Sequence, residues 1–212
     1  IIGDVEEDSN LNFENCILES YISAGYDYAP EIQIKRGYFR TCQFKVYEEA
    51  QKVCSSPLKI TIKGGVFDDC TMSAFLGKSD SGTIYYGEPT ISIEGSSKFV
   101  GGRIYLKATA NSGNQKPQLN ISGGEFDEVL IDARESNTSQ GVAINITGGA
   151  YRYCALYITG ASPSATIKSA EFVGCFIGAR SEFGYGASQV IEITDSRALG
   201  CHLSVQNWPA TS

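Results

Sequence analysis

Ile60-Thr61-Ile62-Lys63-Gly64-Gly65-Val66-Phe67-Asp68-Asp69-Cys70 joins an alternating apolar segment to two glycines, an aromatic residue and a cysteine. The pattern returns as Leu119-Asn120-Ile121-Ser122-Gly123-Gly124-Glu125-Phe126. It returns again as Ile144-Asn145-Ile146-Thr147-Gly148-Gly149-Ala150-Tyr151-Arg152-Tyr153-Cys154. Weaker copies begin at Ile32, Ile91, Ala165 and Ile191, and the copy holding Phe13 and Cys16 lacks its first half. Period-2 alternation places Ile60 and Ile62 on one face of a strand. The glycine pair turns a corner that side chains would obstruct. Phe67 then fills that corner from within. A second strand leaves it, as in Phe44-Lys45-Val46, Leu130-Ile131, Leu156-Tyr157-Ile158, Phe176-Ile177 and Leu203-Ser204-Val205.

The anchor that marks each copy is Phe13, Phe39, Phe67, Phe99, Phe126, Tyr151, Phe172 or Leu199. Successive anchors are 21 to 32 residues apart, with a mean near 26. One copy has too few apolar side chains to make a core alone, so the copies must stack, like over like. The expectation is an all-β chain, a parallel β-helix (β-solenoid) of about eight turns of roughly 26 residues, forming one domain over 1–212. Returning strands then run parallel, about 4.8 Å apart. A right-handed coil is expected, as for parallel crossovers in general. The loops vary most between Ala74 and Thr90, Ala108 and Gln118, and Ala133 and Val142, where solenoids tend to carry added function.

Composition bounds the partners. With 17 basic and 24 acidic residues the 212-residue chain carries −7, which repels phosphate backbones, so no nucleic acid is expected. No apolar run approaches the ~20 residues of a membrane span, so no membrane insertion is expected. The chain opens Ile1-Ile2-Gly3 without Met, which reads as a processed form or a fragment, so the lack of a leader says nothing about export.

Seven cysteines first suggest a disulfide framework. Their register argues otherwise. Cys16, Cys42, Cys70, Cys154, Cys175 and Cys201 follow their anchors by two or three residues, and Gly102 and Val129 stand at that place in the middle copies. Stacked cysteines would have Cα atoms about 4.8 Å apart, but parallel side chains hold the Cβ atoms beyond the ~3.8 Å a bridge prefers. A column of buried free thiols, packing as small apolar groups, is the expectation. Cys54 alone stands in a loop, as a candidate for an intermolecular bridge or a solvent-facing thiol. A straight column offers no tetrahedral shell and His202 is the only histidine, so neither metal nor cofactor is expected.

The Ile-x-Ile-x-Gly-Gly-x-Phe units resemble the repeats of pectate-lyase-like parallel β-helix proteins, especially repetitive regions of bacterial and archaeal cell-surface and sheath-type proteins. The likeness runs from Phe13 to Val205. It implies the fold; for function it spans lyases, glycosidases, phage tailspikes, adhesins and inert surface proteins.

Catalytic chemistry is not legible. The position between the two Ile residues reads Gln33, Thr61, Ser92, Asn120, Asn145, Thr166 and Glu192, neutral through the middle where a cleft should be. A glycosidase needs two carboxylates ~5–9.5 Å apart. The best enzymatic candidates are Asp132, Arg134 and Glu135, in a groove that Tyr85 would help line. No Ser-His-Asp or Cys-His set is credible, and Gly64-Gly65 lacks the Gly-Lys-Ser/Thr of a phosphate loop. Loop aromatics Tyr26, Tyr28, Tyr85, Tyr86, Phe183 and Tyr185 are candidates for binding glycans or protein partners. Asn120, Asn137 and Asn145 head glycan-acceptor triplets, with Asn137 in a loop.

A solenoid's end turns expose unpaired edges unless they are capped. No amphipathic helix is evident at either end; Glu6, Glu7, Asp8 and Trp208-Pro209 are the only capping candidates. These readings favour a non-catalytic, extracellular or cell-surface structural or adhesive solenoid that assembles with itself. The alternative is a polysaccharide-binding or polysaccharide-cleaving β-helix domain that meets surface glycans.

Overall fold

The computed structural model describes residues 11–22, 30–48, 58–76, 89–109, 117–136, 141–181 and 189–207. Among them every regular element is a β-strand. One copy of the repeat supplies three strands: Lys59–Ile62, Val66–Asp68 and Thr71–Leu76. Each pairs in parallel with its counterparts in the copies before and after. Ile60 lies between Ile32 and Ile91, and Phe67 between Phe39 and Phe99. Three parallel sheets result, of seven, eight and eight strands, and together they form a parallel β-helix.

The three sheets differ in the side chains they turn inward. The first buries the Ile pairs, such as Ile60 and Ile62. The second is made of three-residue strands, each turning inward only its central anchor. Phe13, Phe39, Phe67, Phe99, Phe126, Tyr151 and Phe172 form one unbroken ring stack, with centroids 4.6–5.1 Å apart and planes within 14°. The third sheet closes the interior with Phe44 and Val46, Met72 and Ala74, Ile104 and Leu106, and their successors. Phe44 meets Phe39 and Phe67 edge-on, at 5.3 and 5.8 Å.

Two details differ from the sequence reading. The anchor is not a corner plug but the centre of a strand, because the chain bends on both sides of it. Before it, Gly65 takes φ 112°, and a Cβ on Gly64 would lie 2.7 Å from the Lys35 carbonyl oxygen. After it comes a second corner. Asn15, Thr41, Asp69, Gly101, Glu128, Tyr153, Gly174 and Gly200 all sit two residues past the anchor, with φ from 48° to 64°. The second correction concerns the last copy. Ala198, not Leu199, lies in register with Phe172; Leu199 pairs with Val173 and faces outward, 46% exposed. The corner explains this, since Ile193 to Ala198 is the same five-residue step as Ile62 to Phe67.

Candidate functional site

The third anchor-relative position places the thiols. Cys16, Cys42, Cys70, Cys154, Cys175 and Cys201 each stand just before a third-sheet strand. Cys42, Cys70, Cys154 and Cys175 are buried, Cys16 and Cys201 are partly so, and none of the six is bridged. Each sulfur repeats one geometry. Cys42, Cys70, Cys154 and Cys175 lie 3.3–3.4 Å from the carbonyl oxygen two residues earlier. They lie 3.3–3.4 Å from the anchor carbonyl of the copy below, namely Phe13, Phe39, Phe126 and Tyr151. Gly102 and Val129 divide the six into two columns of three.

Burial pushes the Cys70 thiol up to about 11. In the second column the interaction between neighbouring thiols lowers Cys175 to about 6 and raises Cys154. Tyr151, inside the ring stack, is raised well above a free phenol by burial. A small interior cavity lies against Cys154 and Cys175, lined also by Tyr151, Phe172 and Ile177. Among the described residues no three His, Cys, Asp or Glu side chains converge as a metal shell.

The outer face of the third sheet is the other feature. Its outward positions carry Lys45, Arg103, Lys107, Arg134 and Arg180 against Glu19 and Asp132, five cations to two carboxylates among the described side chains. That excess stands on a chain of charge −7. Aromatics interleave with it. Tyr21 stacks on Tyr47 at 5.4 Å, and Tyr157, Phe176 and His202 follow one another at 4.9 and 5.4 Å. The Arg103 guanidinium lies 4.3 Å above the Tyr105 ring. At Gly178 the face is notched, and the hollow is lined by Arg134, Tyr157, Thr159, Phe176, Arg180 and Ser204.

Asp132 is not available as an acid or base in this arrangement. It is 1% exposed; its Oδ2 accepts from Arg103, and its Oδ1 accepts from Arg134 Nε at 2.6 Å. Of the groove expected around it, Tyr85 lies outside the described residues, as does the side chain of Glu135. Asn120 and Asn145 bond each other, Nδ2 to Oδ1 at 2.9 Å, as neighbours in a first-sheet column. Tyr26, Tyr28, Cys54, Tyr85, Tyr86, Asn137, Phe183, Tyr185 and Trp208 lie outside the described residues. The basic face is not among the expectations from sequence, which centre on the loops. The signal was present in the residues alternating with the buried ones in Arg103-Ile104-Tyr105-Leu106-Lys107.

Compared with protein-family models, with curated proteins and with solved structures, the chain matches none.

Proposed function

We propose that the chain is a non-catalytic, extracellular structural solenoid, a right-handed pectate-lyase-like coil of about eight turns that stacks end to end with further copies of itself. One observation carries this reading: the interior is open at both ends of the described fold. Glu31–Ile34, Asn12–Glu14 and Ile17–Ile22 edge the three sheets at one end; Val190–Thr194, Arg197–Leu199 and His202–Asn207 edge them at the other. Leu203 and Val205 are 52% and 56% exposed, although they share register with the buried Ile177 and Ala179. A second copy would set Phe13 over Ala198, Cys16 over Cys201 and Leu18 over Leu203, continuing the interior columns of the second and third sheets, while the first sheet, one strand shorter, resumes one copy further on. Burying the exposed half of two such side chains contributes about 1.5–3 kcal/mol, before the two new rows of backbone hydrogen bonds are counted.

Sedimentation velocity and negative-stain microscopy across protein concentration test this. The expected result is rods that lengthen with concentration, and their loss in a Leu203→Lys/Val205→Lys variant whose β circular dichroism is unchanged. A wild-type chain that stays monomeric at high concentration refutes it.

The basic, aromatic outer face supports a second reading, in which the side of the coil holds anionic surface glycans. Flat rings suit sugar faces and arginines suit carboxylate or sulfate groups. A glycan array at low and high salt should show preference for acidic over neutral sugars, lost with salt. Equal binding of both classes removes this reading.

A further inference from the structure

We propose that the gap between Cys154 and Cys175 is a binding site for one soft, two-coordinate metal ion of the copper(I) or silver(I) class. The argument starts from the repeated sulfur geometry. Cys154 and Cys175 hold their sulfurs 3.3–3.4 Å from the same two kinds of carbonyl oxygen. They therefore share one rotamer, and a pure step along the coil relates them. Their sulfurs are separated by the strand spacing, about 4.8 Å.

That spacing is wrong for a disulfide, whose sulfurs stand ~2.05 Å apart and whose Cβ atoms prefer ~3.8 Å. It is also wrong for zinc, which wants four ligands in a tetrahedron. It fits an ion held in line between two thiolates. Two metal–sulfur bonds as long as those of zinc, about 2.3 Å each, span about 4.6 Å, close to the strand spacing. Thiolates are the ligands that favour copper(I) among the first-row ions.

The cavity selects this gap from the others in the two columns. It is lined by Cys154 and Cys175, with Tyr151, Phe172 and Ile177 around them. An ion entering there meets free space rather than packed side chains. The step is an exchange without oxidation: two metal–sulfur bonds form between the ion and two thiolates, and any thiol proton still held at the working pH leaves to solvent. The bound unit carries one negative charge shared by the two sulfurs and the ion.

Freshly reduced, desalted protein on a Cys54→Ser background is titrated with silver nitrate in chloride-free buffer without oxygen. Native mass spectrometry counts the ions, and X-ray absorption reads the ligands. The first ion should bind the folded protein with two sulfur neighbours in line. Excess zinc should not displace it. Cys154→Ser and Cys175→Ser should each lose this ion, and Cys16→Ser should keep it. Cys154→Ala and Cys175→Ala, which remove the sulfur without adding a polar atom, should lose it too. They keep the test decisive if a serine variant fails to fold. The proposal is overturned if the folded protein takes up no silver. It is equally overturned if a folded Cys154 or Cys175 variant binds as wild type.

Discussion

Replacing Phe99 with Ala removes one ring from the middle of the anchor stack. Phe99 is buried and lies between Phe67, at 4.7 Å and 13°, and Phe126, at 5.0 Å and 3°. A buried Phe→Ala change costs about 3–5 kcal/mol, transfer and cavity together. Rings held above and below cannot collapse into the gap without breaking the register of two sheets, so the upper half, about 4–5 kcal/mol, is expected. With a urea slope of about 2 kcal/mol per M, the midpoint should fall by about 2 M at unchanged slope. Among the described residues Phe13 has one ring neighbour, Phe39 at 5.1 Å, and it is only partly buried. Phe13→Ala should cost about half as much. Double-mutant cycles separate stacking from general core loss. Phe99 with Phe126 should couple by about 0.5–1.5 kcal/mol. Phe67 with Phe126, two ring steps apart, should be additive to within about 0.5 kcal/mol. Equal costs at Phe13 and Phe99, or equal coupling in both pairs, would show that the rings do not act as a column.

Glu128→Asn should stabilise the fold by about 0.5–1 kcal/mol in urea titration, because Glu128 is exposed at φ 56° and Asn tolerates that region better. Any net loss counts against a strained second corner. Stability should also fall at alkaline pH through Cys70. Its folded value, about 11, stands above an ordinary thiol near 9, so its contribution is complete below pH 9 and is lost as pH rises to 11. Two units correspond to about 2.7 kcal/mol, and the difference between wild type and Cys70→Ala across pH 8–11 measures it. A difference that does not change with pH contradicts the burial of that thiol. Asp132→Ala should cost about 1–2 kcal/mol rather than the 3–5 of a fully buried pair. Arg103 and Arg134 are 39% and 51% exposed and recover water. A cost above 3 kcal/mol would mean that the clamp holds the sheet face together.

The first corner was legible in the sequence and the second was not, and the difference is chemical. Gly64-Gly65 announces a bend because only glycine fits there cheaply. At the second corner Asn15, Thr41, Asp69, Glu128 and Tyr153 hold the same left-handed backbone with side chains attached. Each amide there donates to a carbonyl in the next copy, as Thr41 to Asp68 at 2.8 Å and Glu128 to Arg152 at 2.9 Å. That ladder compensates a conformation the residue types do not advertise. The cysteine columns were legible because a fixed Phe-x-x-Cys step defines them, and their interruption has a physical cause. Gly102 takes φ 79°, and a Cβ there would lie 2.2 Å from the Cys70 carbonyl oxygen, so no cysteine can stand at that rung. The loop aromatics are legible as binding candidates because Tyr and Phe stand out in polar stretches of sequence. The basic face was harder, since its charges are scattered through the chain and meet only once the copies are stacked.

Sides and ends of the coil differ in what they offer a second copy. Along the sides, apolar residues such as Ile17 and Tyr157 are scattered among charged and polar ones, and a chain of −7 repels its neighbours over a Debye length of about 8 Å in physiological salt. Local ion pairs such as Arg40–Asp68 at 3.7 Å and Arg197–Glu171 at 3.6 Å are internal to one sheet and leave nothing for a partner to satisfy. At the ends, apolar side chains in interior register, Leu203 and Val205 among them, lie beside strand edges paired on one side only. Repulsion between sides and burial at ends act in the same sense, so growth along the axis is favoured over bundling. Raising salt weakens the first and leaves the second. Rods formed at low salt should therefore persist at high salt and begin to associate side by side.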